Sequence, residues 1–158
     1  MRELNQEHIK KIIDFVNKGP FFQLLSIRIC ELRMGYSRLE IDLDTKHMNS
    51  FGGLHGGVYA SLIDSAAYWA IYCDLDENAG LISIDLKVDN LSTVKEGTLI
   101  VEGKRIKVGK TICLSEATVT DINGKYLAHG TSKQMVTHNL QSINKTILES
   151  IPSKFIKE

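Results

Sequence analysis

Two periodicities organise the chain. Between residues 37 and 44, Leu39, Ile41 and Leu43 alternate with Arg38, Glu40 and Asp42. Between 81 and 90, Ile82, Ile84, Leu86 and Val88 alternate with Ser83, Asp85, Lys87 and Asp89. A period of two is that of a half-buried strand, so Ser83, Asp85 and Lys87 are expected to share a polar outer face. Near the N-terminus the spacing changes. Ile9, Ile12, Ile13 and Val16 form one stripe on a charged segment, which predicts an amphipathic helix over residues 4–18 that Gly19-Pro20 ends. Further strands are expected at residues 24–32, before a turn at Met34-Gly35, and at 98–108 and 111–121, joined at Gly109-Lys110. The turn signal Asn123-Gly124 leads into a last strand over 125–136. Residues 140–150 are the candidate for a short terminal helix, stopped near Pro152.

One segment has neither period. FGGLHGGVYASLIDSAAYWAIY, residues 51–72, reads after its glycines as one long helix, about 56–73, of small and apolar residues with no solvent face. A helix apolar all round has to be buried. An antiparallel sheet curled around it would bury it, which gives an α+β fold. Such a sheet keeps an edge, and pairing with a second copy of the chain is a natural cover for it.

Composition changes this picture little. A chain of 158 residues without repeats, low-complexity tracts or long linkers is expected to be a single domain, 1–158. Its core would span about 20–137, with the N-terminal helix before it and a tail over 138–158. Lys and Arg number 19, as do Asp and Glu, and the two signs are interspersed. No basic stripe marks a nucleic-acid partner. Cys30, Cys73 and Cys113 are odd in number and widely spaced, which argues against disulfides and a zinc site and for reduced thiols. The N-terminus is charged where a signal peptide is apolar, and no run approaches membrane-spanning length. A cytoplasmic protein with no membrane partner and no metal is expected.

The candidate chemistry lies at both ends of one question about the central helix. His55-Gly56-Gly57 stands at its start. The glycines serve a tight turn, or they let a ligand reach the unpaired N–H groups at the positive end of a helix. Asp64 lies too deep to cap that helix, among Leu62, Ile63, Ala66, Ala67 and Ala70. A carboxylate there is either bonded to Ser61, Ser65 or a strand amide, or retained for chemistry. His55 and Asp64 would stand roughly 12 Å apart along one helix. If both serve one site, Asp64 has to come from a second subunit.

Asn49, five residues, His55-Gly56-Gly57, six residues and Asp64, in a central helix followed by four strands, resembles the hotdog-fold acyl-CoA thioesterases. Within them the pattern is similar to the phenylacetate-pathway (PaaI-like) branch, which includes the thioesterase superfamily member 2 type. The resemblance covers residues 20–136. It implies a hotdog fold and hydrolysis of an acyl-CoA by a homodimer or a dimer of dimers, with coenzyme A as part of the substrate and no further cofactor. It implies that Asn49 and the Gly56 N–H polarise the thioester carbonyl. Asp64 of the partner subunit would activate water or attack, assisted by Ser83. Coenzyme A contacts would fall on Asn90 and on Lys107, Val108, Gly109, Lys110, Thr111 and Ile112. Thr93 stands where the family commonly has proline, which should loosen the turn after Asn90. A thiol of pKa near 8.5 leaves without strong acid assistance, so carbonyl polarisation and an activated water suffice. His55 is expected to orient Asn49 or its loop, not to act as the base. A non-catalytic acyl-CoA-binding module on the same fold is the alternative. A hotdog hydratase would want a His-Asp or His-Glu dyad in another context.

Overall fold

The structure, a computed structural model, describes residues 1–138, 140–143 and 150–157. Its centre is helix α3 (Gly56–Tyr72). Around it curls an antiparallel sheet of β2 (Ile27–Arg33), β3 (Tyr36–Asp42), β4 (Gly80–Asn90), β5 (Thr98–Lys107), β6 (Ile112–Asp121) and β7 (Tyr126–Thr137). The spatial order is β2-β3-β5-β6-β7-β4. Leu39, Ile41, Leu99, Val101, Ala117 and Val119 project from alternate strand positions onto Leu62, Ile63 and Ala66 of the helix, all fully buried.

The helix comes close to the sheet because two strand residues lack side chains. A Cβ on Gly103 would lie 2.1 Å from the Ala66 carbonyl oxygen, and one on Gly130 would lie 2.8 Å from Ile63 Cγ2. Ser37 and Ser115 fix the helix further, donating to the carbonyls of Ala66 and Ala67 at 2.7 Å each. These contacts explain how a helix without a polar face is held in one rotation inside the sheet.

The N-terminal region departs from the sequence expectation in two ways. The first helix, α1 (Gln6–Asn17), starts later than residue 4, because Asn5 caps it by accepting from the Glu7 N–H at 3.1 Å. The preceding β1 (Glu3–Leu4) instead pairs with β8 (Phe155–Lys157). Gly19-Pro20 both ends α1 and begins α2 (Pro20–Leu25), with Gly19 as N-cap and proline at the first helical position. Ser26, at φ 57°, closes α2, so the strand expected over 24–32 begins only at Ile27. The terminal helix expected over 140–150 falls mostly on residues 144–149, outside the described residues.

The two sheet edges differ. Asn17 lays its amide along β2, donating to the Ile29 carbonyl at 3.0 Å and accepting from the Ile29 N–H at 2.7 Å. The opposite edge is β4, whose outer side has no partner strand among the described residues.

β4 also corrects the facing read from its alternation. Ser83 pairs with Gln134 and Asp85 pairs with Lys133, so Ile84 is an extra residue in a β-bulge. Directly opposed residues share a face. Gln134 is buried and donates to Ser115 at 3.0 Å, so Ser83 faces the helix with it. Leu86, opposite buried Ser132, faces the helix as well, whereas Asp85 lies outside with Lys133. Ser83 therefore does not belong to the outer polar face with Asp85 and Lys87. The bulge reverses the alternation between them.

Candidate active site

The loop into α3 is built from its own polar groups. His47 is fully buried; its Nδ1 accepts from the Asp44 N–H at 2.9 Å and its Nε2 donates to the Leu25 carbonyl at 2.7 Å. Its own carbonyl accepts from the His55 N–H at 2.9 Å. His55 is the N-cap of α3, its Nδ1 accepting from the Gly57 N–H at 2.8 Å. It orients the loop through this cap, and no hydrogen bond joins it to Asn49 among the described residues. Asn49 is set by its own turn: Oδ1 accepts from Phe51 N at 2.9 Å and from Gly53 N at 3.2 Å. That fixes the amide and leaves Nδ2 as the donor available to a ligand.

Asn49, Gly56 and Asn90 come together. They line one pocket of about 360 Å³ with Leu54, Tyr59 and Thr93. A Cβ on Gly56 would lie 3.1 Å from Asn90 Nδ2, so the Asn90 amide packs against the first residue of the helix. The segment after Asn90 is pinned despite Thr93. Leu91 and Ser92 N–H groups both donate to the Leu127 carbonyl, Tyr59 donates to the Ser92 carbonyl at 2.9 Å, and Leu54 N–H donates to Val94. A carbonyl oxygen seated in this pocket would meet amide donors at the positive end of a helix of 17 residues.

Asp64 is elsewhere, half-buried and two turns along α3. Burial pushes its carboxyl above the usual carboxylate range, and the Ser83 hydroxyl offsets part of that rise. Ser83 is the hydroxyl that favours the charged form of this carboxyl. Tyr68 stands beside it, donating to the Leu81 carbonyl at 3.2 Å and so tying α3 to β4 two residues before Ser83. Burial first, and then the Asp64 charge, push the Tyr68 phenol up to about 12. Nothing in the local sequence pattern shows that Tyr68 braces this pair.

The third group lies at the far end of the helix, about 25 Å from Gly56 at 1.5 Å per residue. Val108, Gly109 and Lys110 form one wall of a pocket of about 480 Å³; Asp74, Leu75, Asp76 and Ala79 form another, with Val136 and His138 beside them. The Gly109 N–H donates to Ile112 at 3.1 Å, and the Thr111 carbonyl accepts from Val136 at 2.8 Å. Lys107 and Lys110 are exposed, as is Ile112. Arg105 is ion-paired with Asp74, whose side chain is only 5% exposed. Its charge is thereby matched, and Lys104, Lys107 and Lys110 remain as the exposed cations around this turn.

His129 lies on the outer sheet face, 3.0 Å from Glu116. Burial drives the Cys73 thiol up to about 12, which removes it as a nucleophile. Among the described residues no group of three or more His, Cys, Asp or Glu could hold a metal ion. No helix of the described residues is long and apolar enough to cross a membrane.

Residues 51–128, the loop into α3 through most of the sheet, match the thioesterase superfamily. The chain belongs to this superfamily, as a PaaI-like hotdog thioesterase. It is thus a thioester hydrolase by family. The human protein acyl-coenzyme A thioesterase 13 is 27% identical over 128 residues, covering 78% of this chain and 91% of its own. Two solved structures share the fold. A thioesterase from Haemophilus influenzae superposes with a TM-score of 0.77 at 19% identity, over 85% of this chain and 94% of that one. Zebrafish thioesterase superfamily member 2 gives 0.74 at 24%, over 85% and 100%. This hotdog thioesterase carries its Gly56 and Asp64 inside the matched span, and Asn49, α1 and β8 outside it.

Proposed function

We propose that this thioesterase hydrolyses acyl-coenzyme A to the free acid and coenzyme A. The observation that carries the reading is the pocket at the start of α3, where Asn49 and Gly56 line one cavity with Asn90. The thioester carbonyl oxygen accepts from the Gly56 N–H and from Asn49 Nδ2, which stabilise charge as it develops on that oxygen. The thiolate then leaves without a dedicated acid. The substrate class is that named for the human relative.

Water needs a base, and Asp64 is too far along α3 to supply one to the same chain's pocket. The base is Asp64 of the partner subunit, with Ser83 beside it. An antiparallel pairing of two β4 edges provides the route. It sets the early half of one β4, with Ser83, against the late half of the other, with Asn90. Asn90 and the turn of Lys107, Val108, Gly109, Lys110, Thr111 and Ile112 hold the coenzyme, the exposed lysines facing its phosphates. His55 acts through the helix cap, and a dimer is the unit the chemistry requires.

Free-thiol release from short, medium, long and aromatic acyl-CoAs tests this. The wild type should release coenzyme A from at least one of them, and Asp64→Asn and Asp64→Ala should release little. Binding of acyl-CoA without thiol release from any panel member would replace the hydrolase by the binding-module reading.

A further inference from the structure

Outside the family-matched span, the C-terminal segment places a lysine where lysines are seldom found. Lys154 is fully buried, the largest side chain to be so among the described residues. Its ammonium donates to three backbone carbonyls just past the helix, those of Tyr72 at 3.2 Å, Leu75 at 3.2 Å and Asp76 at 3.3 Å. The same ammonium sits 4.1 Å from the centre of the Tyr72 ring. No carboxylate ion-pairs with it among the described residues. Its three protons match three carbonyls at the negative end of α3, and a cation buried without a counter-ion is costly unless such groups hold it.

The rest of the residue is tied down too. The Lys154 N–H reaches both Glu77 carboxylate oxygens, at 2.9 and 3.0 Å, and Ser153 Oγ donates to the same carboxylate at 2.9 Å. The Lys154 carbonyl accepts from Asn5 N–H at 2.8 Å. Next to it, His8 Nδ1 lies 2.7 Å from the Pro152 carbonyl and so donates to it; with burial holding the ring neutral, Nε2 accepts from the Tyr72 hydroxyl at 2.7 Å.

What Lys154 gathers is one wall of a pocket. Leu75 and Asp76, two of its three acceptors, face Val108, Gly109 and Lys110 across the cavity at the end of α3. We propose that Lys154 is a positioning residue for the substrate: by drawing the Tyr72, Leu75 and Asp76 carbonyls onto one ammonium, it sets the wall against which the coenzyme A end of the thioester is held. The inference rests on the placement of coenzyme A at that turn. It assigns the C-terminal segment a share in substrate selection that the family's own motif does not contain.

The test compares two thioesters of one acyl group, the coenzyme A thioester and the N-acetylcysteamine thioester, which lacks the nucleotide and most of the pantetheine arm. Both kcat/KM values are taken on the same preparation, so the folded fraction cancels from their ratio. In Lys154→Met the ratio should fall roughly tenfold through a higher KM for the coenzyme A substrate, with kcat kept. Lys154→Gln, which retains one donor group, should fall in between and serves if the methionine variant does not fold. Lys110→Ala, on the opposite wall, should lower the ratio by itself. An unchanged ratio in both Lys154 variants, with Lys110→Ala lowering it, would overturn the role of Lys154 alone. An unchanged ratio in all three would overturn the placement of coenzyme A and the inference with it.

Discussion

Asp64 is pulled in two directions by its surroundings. Burial raises its pKa, so the folded chain binds this proton more tightly than the unfolded chain does. An acid of this kind favours folding while protonated and detracts from it once the pH rises through its folded-state value. At neutral pH the ionised Asp64 therefore costs stability. Asp64→Asn is expected to raise Tm at pH 7 while lowering kcat by about 10²–10⁴-fold; a calorimetric scan beside the thiol assay reads both. The pH profile follows from the same shift. As a base Asp64 works ionised, so kcat should fall on the acid side at a pH above the usual carboxylate range. Ser83 favours the charged form, so Ser83→Ala should move that limb to still higher pH. A limb that stays in place would remove Ser83 from this role.

Helix α3 and its sheet are held by absences as much as by side chains. Gly103 lets a strand pass against the Ala66 carbonyl, and a methyl there meets backbone, which cannot swing aside. Gly103→Ala is expected to destabilise by about 2 kcal/mol or more, measured by denaturant unfolding. His55→Ala, which removes the α3 cap, should cost about 1 kcal/mol and leave the fold intact. The helix itself was legible because its residues are apolar all round, and β3 because its period is unbroken. Two elements were not legible, each for a physical reason. Gly19-Pro20 is equally a stop for α1 and a start for α2, since glycine and proline suit both roles. The bulge in β4 exists only in the register with β7, which local alternation does not encode. Gly56 and Asp64 stood out by residue type in context, whereas Asn49 and Ser83 could be assigned only through family resemblance.

Along α3 the proposed machinery is spread over three stations, at Gly56, at Asp64 and at the 108–110 turn, and a single chain brings no two of them into one pocket. On the reading given above, two chains do. Mixing Asn49→Ala with Asp64→Ala subunits should then restore about a quarter of wild-type activity, because half of the dimers formed at random carry one intact site of two. No recovery in confirmed heterodimers would rule out a shared site. The contacts that close the far end of the molecule, from His8 through Tyr72 to Lys154, join groups 64 to 144 residues apart in sequence, which is why no local pattern announced them. The bulge in β4 has a consequence for chain length. Leu81, Ser83, Leu86 and Val88 all face the helix with Ile84 present, and the same four would alternate regularly if that codon were deleted. A deletion inside an edge strand ordinarily turns half of its side chains around. Here it would remove a half-exposed isoleucine and leave every other β4 residue on its own side, opposite its present partner on β7.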